Sequence, residues 1–590
     1  MTEGDWFSLS LADIVSSAGK KGDGRPFKLV GLRQYTAEPL APYLAVGARD
    51  IDLELEVVWG GFDTMMQDAL DPSFPLEAAD AVLICPAVER IAPEIFQAIV
   101  EDEAERDAAV VVVAERMREF VAAVRARTNS PIVVIGWPEN NFGVGISQQK
   151  ILGNMVAALS FETQRLTEET DSVWFVDTAA VAAWVGGANF IDPLRNHRSA
   201  IPFSESGLRH IASEILIYLR NINGRVKKVL VLDCDNTLWG GLCGELEDIA
   251  DLEIGSSGFP SAAHAGLQSW ALDLKSRGVL LTLVSKNEAE NVWRVFEQHP
   301  SMVLSKTDLA AWRINWAPKA QNIKELAEEL NVGLDSVIFV DDQPIEIDSV
   351  RDFLPEVTCI HLDEKTLLNI RNIARRSGWL ETLQVTDTDR QRTGHFRAEK
   401  ERKKVQDKAI DFDSYLRNLE MIATLKIDDA VNFSRAEQMC ARTNQMNLTT
   451  KRHSSADIEA FAKASNSIVI SVGVADRLGD LGDVGLGILS FEADTLSARV
   501  ETVLLSCRAF SRKCEELLFV AMIQEAKNWG ALTMNASYQP TKKNTPASLL
   551  LEKIGFEVEV QQSGSKTGVL EIDEGSSEFP EIFEGIKTER

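Results

Sequence analysis

Up to residue 225, hydrophobic residues gather into short unbroken runs separated by stretches of helical period. PFKLVGL (26–32), LELEVVWGG (53–61), ADAVLICPA (79–87), PIVVIGWP (131–138) and SVWFVDT (172–178) read as buried strands. The segment EIFQAIVEDEAERDAAVVVVAERMREFVAAVRA, between two of them, has helical periodicity. Apolar strands alternating with helices predict a parallel sheet covered on both faces. A second series begins at Val226. KKVLVLDCD (227–235), VLLTLVSKN (279–287) and SVIFVDDQP (336–344) are apolar strands that end in polar residues. Helices such as Ser261–Arg277 and KAQNIKELAEEL (319–330) lie between them. Ligands of an open parallel sheet sit at the carboxyl ends of its strands. The endings D-x-D, S-K-N and D-D are therefore predicted to meet at one spot.

Charge density rises across TDTDRQRTGHFRAEKERKKVQD (386–407), which predicts an exposed linker or helix. Beyond it lie a polar helix around Phe433–Asn444, strand-like runs at 467–476, 486–494 and 498–506, and an amphipathic helix at Glu515–Trp529. The predicted fold class is α/β in three domains, covering 1–225, 226–380 and 408–590, the last α/β or α+β, with a linker at 381–407.

Composition narrows the picture. A chain of 590 residues exceeds what one hydrophobic core supports, and 45% hydrophobic with 25% charged residues is ordinary for globular protein. The net charge of -28 argues against general binding to nucleic acid or an anionic membrane. No apolar run reaches the roughly 20 residues of a membrane span. The start MTEGDWFSLSLADIV lacks the basic end and apolar core of a signal peptide. Seven scattered cysteines, with no C-x-x-C pair, read as reduced thiols. A cytoplasmic protein with no nucleic-acid or membrane partner is expected.

The chemistry concentrates in Asp233-Cys234-Asp235-Asn236-Thr237. Two carboxylates at i and i+2 on a strand-to-loop turn can face one cavity, one attacking phosphorus and the other delivering a proton. Thr237 can hold the loop, although D-x-D-N is also ordinary turn chemistry. Ser285 can hydrogen-bond a phosphoryl oxygen. Lys319, at a helix start, can neutralise charge on the transferring group. Asp341 and Asp342 offer a further carboxylate for a hard cation, and Mg²⁺ suits such a set. These elements are what phosphoryl transfer asks of a protein.

The order D-x-D-x-T, S, K, D-D resembles the four motifs of the haloacid dehalogenase (HAD) superfamily. That resemblance implies a HAD-type Rossmann-like domain with Asp233 as nucleophile and Asp235 as general acid/base. Thr237, Ser285 and Lys319 would contact phosphate. Mg²⁺ would be held by Asp233, the backbone carbonyl of Asp235, and Asp341 or Asp342. The stretch between Thr237 and Ser285 leaves no room for a large cap once its core helix is counted.

VLDCDNTLWGG (231–241), SKNEAE (285–290), NWAPKAQNI (315–323) and FVDDQPIE (339–346) resemble more closely the FkbH-like branch. RTNQMNLTTKR (442–452), DRLGDLGDVG (476–485), LLSCRAFSRKCEE (504–516) and TKKNTPASLLLEKIGF (541–556) extend the likeness to that branch's C-terminal region, which is similar to a GNAT acyltransferase. The N-terminal part resembles the SGNH-hydrolase-like domain of longer members. Its first strand ends in Arg33 and Gln34 with no nucleophilic serine, so Asp192 and His197 would do nothing hydrolytic. A non-catalytic surface for docking or homodimer formation is expected there.

The resemblance implies that 1,3-bisphosphoglycerate, a phosphorylated three-carbon substrate, loses phosphate and that its glyceryl group passes to a phosphopantetheinylated acyl carrier protein for polyketide-type biosynthesis. Cys507, near Arg508, Arg512 and Lys513, is the candidate thiol carrier, since nearby cations favour thiolate. A buried strand-end cysteine is the alternative. Asn444, Arg508 and Asn544 are candidate substrate-binding residues, and Arg508, Arg512, Lys513, Lys451, Arg452, Lys542 and Lys543 candidate docking cations. Ser511 and Lys513 stand where the family pattern has glycines, which weakens the case for acyl transfer. Two other readings stay open: a phosphatase without acyl transfer, and an assembly scaffold that transfers nothing.

Overall fold

The structure is a computed structural model, and it describes residues 5–91, 103–137, 146–246, 248–255, 258–383, 385, 390, 393–394, 416–477, 479–506, 509, 512–541, 544–572 and 578–590. Most of the expected linker at 381–407 lies outside the described residues, as do Cys507, Arg508, Ser511, Lys542 and Lys543. The chain forms two compact units. One is Met1–Asn223 with Arg376–Gly378 and Ser454–Asp457; the other holds the remainder.

In the first unit, β1 (Arg25–Arg33), β2 (Leu53–Phe62), β3 (Ala81–Cys85), β4 (Ile132–Ile135) and β5 (Val173–Val176) form a sheet in the order β2-β1-β3-β4-β5. Every pairing is parallel. The unbroken apolar runs serve two cores at once, because successive side chains point to opposite faces. Leu29, Leu83 and Val133 pack on one face, while Val30, Val82 and Val134 pack on the other. The predicted helix between β3 and β4 is described as Glu103–Arg125.

The second unit carries two sheets. β6 (Val229–Leu232), β7 (Leu280–Ser285), β8 (Leu309–Ile314), β9 (Val337–Asp341) and β10 (Thr358–His361) run in the order β10-β9-β6-β7-β8, again all parallel. Central β6 is buried on both faces, Leu230 and Leu232 against one core and Val229 and Val231 against the other. The two edge strands, β8 and β10, were not among the predicted strands. Their apolar runs are short and broken by Arg313 and His361.

The C-terminal sheet is mixed. Among the described residues it contains β11 (Met421–Ile427), β12 (Met446–Asn447), β13 (Ser467–Asp476), β14 (Gly479–Glu492), β15 (Ser497–Leu505), β16 (Thr533–Tyr538), β17 (Glu557–Val560), β18 (Lys566–Glu571) and β19 (Phe583–Glu589). Helices Phe433–Arg442, Ser455–Lys463 and Cys514–Asn528 accompany it. β15 pairs with parallel β16 only over Ser497–Arg499. Further along, β12 pairs with Leu504 and Leu505 instead. Leu448 N donates to Val503 O at 3.1 Å and Gln539 N donates to Leu448 O at 2.8 Å, so residues 446–448 bridge the parting strands. Among the described residues no helix is long and apolar enough to cross a membrane.

Two contacts tie the start of the β6 strand to helix Phe433–Arg442. Lys228 Nζ donates to Arg442 O at 3.1 Å, and Gly224, at φ 64°, lies so close to Ala441 that a Cβ there would run into its carbonyl oxygen. Gly224→Ala is expected to lower the apparent melting midpoint by several degrees. Left-handed backbone and a steric clash act together at this position, for a cost of about 1–3 kcal/mol. Calorimetry or circular dichroism checks it.

Candidate active site

The second parallel sheet brings its three polar strand endings together. Asp233 directly follows β6, and its N–H donates to Val340 O at 3.1 Å, which sets it beside the end of β9. Ser285 ends β7 and Asp341 ends β9. Lys319 begins helix Lys319–Glu329, with Pro318 at the N-cap. The preceding loop is braced by Asn315, whose Oδ1 accepts from Ala317 N at 2.9 Å and from Asn322 Nδ2 at 2.9 Å. That bracing fixes where the helix starts, and so where the lysine enters the site.

Lys319 Nζ lies 2.6 Å from Asp341 Oδ2 and 2.9 Å from Asp233 Oδ1. All three side chains are buried, with relative exposures of 4%, 0% and 5% for Lys319, Asp341 and Asp233. Two carboxylates thus share one ammonium away from water. Burial pushes the Asp233 carboxyl up to about 7; Lys319 opposes that rise and Asp341 adds to it. Burial likewise raises Asp341, again against Lys319. Burial alone would lower the Lys319 ammonium, but the two carboxylates outweigh it and hold it above its ordinary value.

Oxygens of Asp233, Asp341 and half-buried Asp342 lie within 4.8 Å of one another. Asp341 Oδ1 accepts from Gln343 N at 2.8 Å, and Asp342 Oδ2 accepts from Gln343 Nε2 at 2.7 Å. Asp233 Oδ1 has the Lys319 ammonium 2.9 Å away as its partner. Thr237 Oγ1 is fully buried and has no hydrogen-bond partner among the described residues. Buried polar groups are nearly always satisfied, so Thr237 Oγ1 marks a place for a ligand. An all-oxygen donor set with excess negative charge fits a hard divalent cation such as Mg²⁺. Phosphate oxygens would complete its shell and accept from Thr237.

Asp235 is held by three donors. Its Oδ1 accepts from Trp239 Nε1 at 2.8 Å and Cys243 N at 3.0 Å, and its Oδ2 accepts from Asn287 Nδ2 at 2.8 Å. The loop curls back to allow this. Asn236 takes φ 54°, and its Oδ1 accepts from Gly241 N at 3.0 Å. Helix Ser261–Ser276 clamps the same loop from behind, with His264 Nδ1 donating to Thr237 O at 2.8 Å and Gln268 Nε2 to Leu238 O at 2.7 Å. Cys234 is fully buried in the core. Asn287, Trp239, His264 and Gln268 were not singled out as site residues. The first two stand inside the quoted motifs, but nothing in their spacing shows that they reach Asp235.

The C-terminal candidates fare differently. Asn544 is fully buried. Its Nδ2 donates to Asn447 O and Gln539 O, and its Oδ1 accepts from Thr541 N and Oγ1 and from Tyr538 Oη. Both amide atoms of this expected substrate-binding residue are occupied by internal partners. Asn444 Oδ1 accepts from Arg452 Nη2. Arg512, an expected docking cation, is 3% exposed and cannot meet a partner surface. Lys451 pairs with Glu501 at 3.2 Å. In the first unit, Asp192 caps helix Pro193–Ser199 by accepting from Arg195 N at 3.0 Å, and His197 is exposed.

Two carboxylates crowded on one lysine make a destabilised cluster that a cation relieves. Adding Mg²⁺ is therefore expected to raise the melting midpoint of the wild-type chain by several degrees. Asp233→Asn should melt no lower than wild type without metal and should lose most of the Mg²⁺ response. Thermal scans with and without Mg²⁺ check both.

No protein-family model matches the chain, and no curated protein does. Among solved structures it is similar to the N-terminal part of the protein BF1531 from Bacteroides fragilis, which contains a phosphatase domain and was crystallised with Mg. Identity is 23%, over 65% of this chain and 100% of that one, with a TM-score of 0.55. Shorter matches reach the ribosomal-protein-S18-alanine N-acetyltransferase of Escherichia coli (13% identity, 26% of this chain, 94% of that chain, TM-score 0.20). Another is nourseothricin acetyltransferase (15% identity, 18% of this chain, 66% of that chain, TM-score 0.15). The likeness to the Bacteroides fragilis structure is one of fold: a multidomain α/β chain with parallel sheets.

Proposed function

We propose that this chain is a Mg²⁺-dependent phosphoryl-transfer enzyme of HAD type with Asp233 as nucleophile. The observation that carries the reading is the buried meeting of Asp233 and Asp341, at the ends of adjacent parallel strands, with Lys319 from a helix start, and Asp342 beside them. An Asp233 carboxylate oxygen bonds to phosphorus while the bond to the leaving oxygen breaks, and Asp235 gives that oxygen its proton. Water then attacks the aspartyl-phosphate phosphorus, the Asp233–phosphorus bond breaks, and Asp235 takes the proton from water. Lys319 holds a phosphoryl oxygen and offsets its charge, while Ser285 and Thr237 donate hydrogen bonds. Asp233, the backbone carbonyl of Asp235, and Asp341 or Asp342 would hold Mg²⁺, which supplies positive charge to the phosphoryl oxygens.

The finer reading is that the substrate is 1,3-bisphosphoglycerate and that the glyceryl group goes to a phosphopantetheinylated carrier protein. The family resemblance of residues 442–556 supports it. The internal use of Asn544 and Arg512 favours the second reading, a phosphatase without acyl transfer.

Asp233→Asn should reduce phosphate release with Mg²⁺ by at least about a thousandfold, since a covalent step loses its nucleophile; retained turnover would refute the assignment. Intact-protein mass spectrometry of a mixture with Mg²⁺, 1,3-bisphosphoglycerate and carrier separates the finer readings. A glyceryl adduct on the carrier supports loading, and free phosphate without an adduct supports the plain phosphatase.

A further inference from the structure

The bonds around Asp235 assign work to a residue outside the four motifs. We propose that Asn287 is a positioning residue that sets the orientation of Asp235 for proton transfer, an inference that rests on the phosphoryl-transfer reading above. The two oxygens of Asp235 are held from different places. Oδ1 takes both its donors, Trp239 Nε1 and Cys243 N, from the loop that Asp235 itself begins. Oδ2 takes Asn287 Nδ2, from the end of the neighbouring strand β7. A carboxylate fixed at one oxygen can still swing the other, so Asn287 decides where Oδ2 points.

Asn287 is built for this task. It is 8% exposed, and its own Oδ1 accepts from Glu288 N at 3.0 Å, which turns its amide nitrogen toward Asp235. The same nitrogen lies 3.3 Å from Cys243 Sγ, so it braces the returning loop as well. Asn287 also stands two residues beyond Ser285 on one strand end. The group that aims the proton and the group that holds the phosphoryl oxygen therefore share a rigid support. Oδ1 already carries two donors, which leaves Oδ2 as the oxygen that carries the proton. In the first half-reaction that proton passes to the leaving oxygen as the phosphorus–oxygen bond breaks and its electron pair stays with the leaving group.

A mispositioned acid harms poor leaving groups more than good ones, and general acid catalysis contributes roughly 10²–10⁴-fold where protonation is needed. The experiment measures kcat/KM, which reports the step that expels the leaving group, for n-butyl phosphate and 4-nitrophenyl phosphate. Asn287→Leu keeps much of the shape and removes the donor without adding charge; Asn287→Ala removes the side chain. Both should lose about 30-fold or more on the alkyl ester and no more than about threefold on the nitrophenyl ester. The ratio of the two constants does not depend on how much protein is folded, so partial misfolding does not imitate the effect. In an Asp235→Asn background the Asn287 changes should cost little more, because the group they aim is gone. Equal losses on both esters, or full additivity with Asp235→Asn, overturn the positioning role. A wild-type chain that releases phosphate from neither ester nor 1,3-bisphosphoglycerate, or an Asp233→Asn variant as active as wild type, overturns the phosphoryl-transfer reading and this inference with it.

Discussion

One lysine between two carboxylates governs the architecture of the candidate site. Lys319 lies within 2.9 Å of both Asp233 and Asp341 in a place that water scarcely reaches. Isolated buried charges are costly, and without the lysine two buried carboxylates would face each other with no counter-charge. Every segment that feeds the cluster is accordingly restrained: Asp233 by its bond to β9, Lys319 by the Asn315–Asn322 brace, and Asp341 by Gln343 N. The cluster is nonetheless short of positive charge. A scaffold that tolerates this deficit is poised to take up a cation and an anionic group together.

The second half of the fold's logic is support at a distance. His264 and Gln268 stand one helical turn apart, so they share a face of their helix, and each holds a carbonyl of the loop that follows Asp233. Gln268 also accepts from Val303 N at 2.9 Å and Leu304 N at 3.0 Å. A single buried amide thus ties the loop after Asp233 to the segment that leads into β8. Loops placed in this way keep their geometry without a cap pressing on them.

Much of this was legible in the sequence because central strands announce themselves. The runs VLVL and VIFV are apolar without interruption, and the residues that follow them form the candidate site. The edges were harder to read. β8 and β10 are short, and β11 and β16 through β19 are half-buried or exposed, so their hydrophobic signal is diluted by polar positions. Hydrogen-bond partners were harder still. Asn287 reaches Asp235 from 52 positions away, and no periodicity encodes such a meeting. Asn544 shows the converse, since an asparagine in a turn-rich segment looks available to a ligand, whereas its neighbours use both ends of its amide. The Cys507 thiol falls outside the described residues, so its expected role stands as the sequence left it.

The parting of β15 from β16 has a consequence for solubility. Where two strands of a sheet separate, their facing amides and carbonyls become an open seam, and an open seam recruits strands from other molecules. Here residues 446–448 lie in the seam and take bonds from both walls. Because they are tethered by the helix just before them, they occupy it at a local concentration that a stray chain in solution cannot match. The protein closes its sheet with its own backbone, and any extended molecule seeking those amides must first evict a permanent resident.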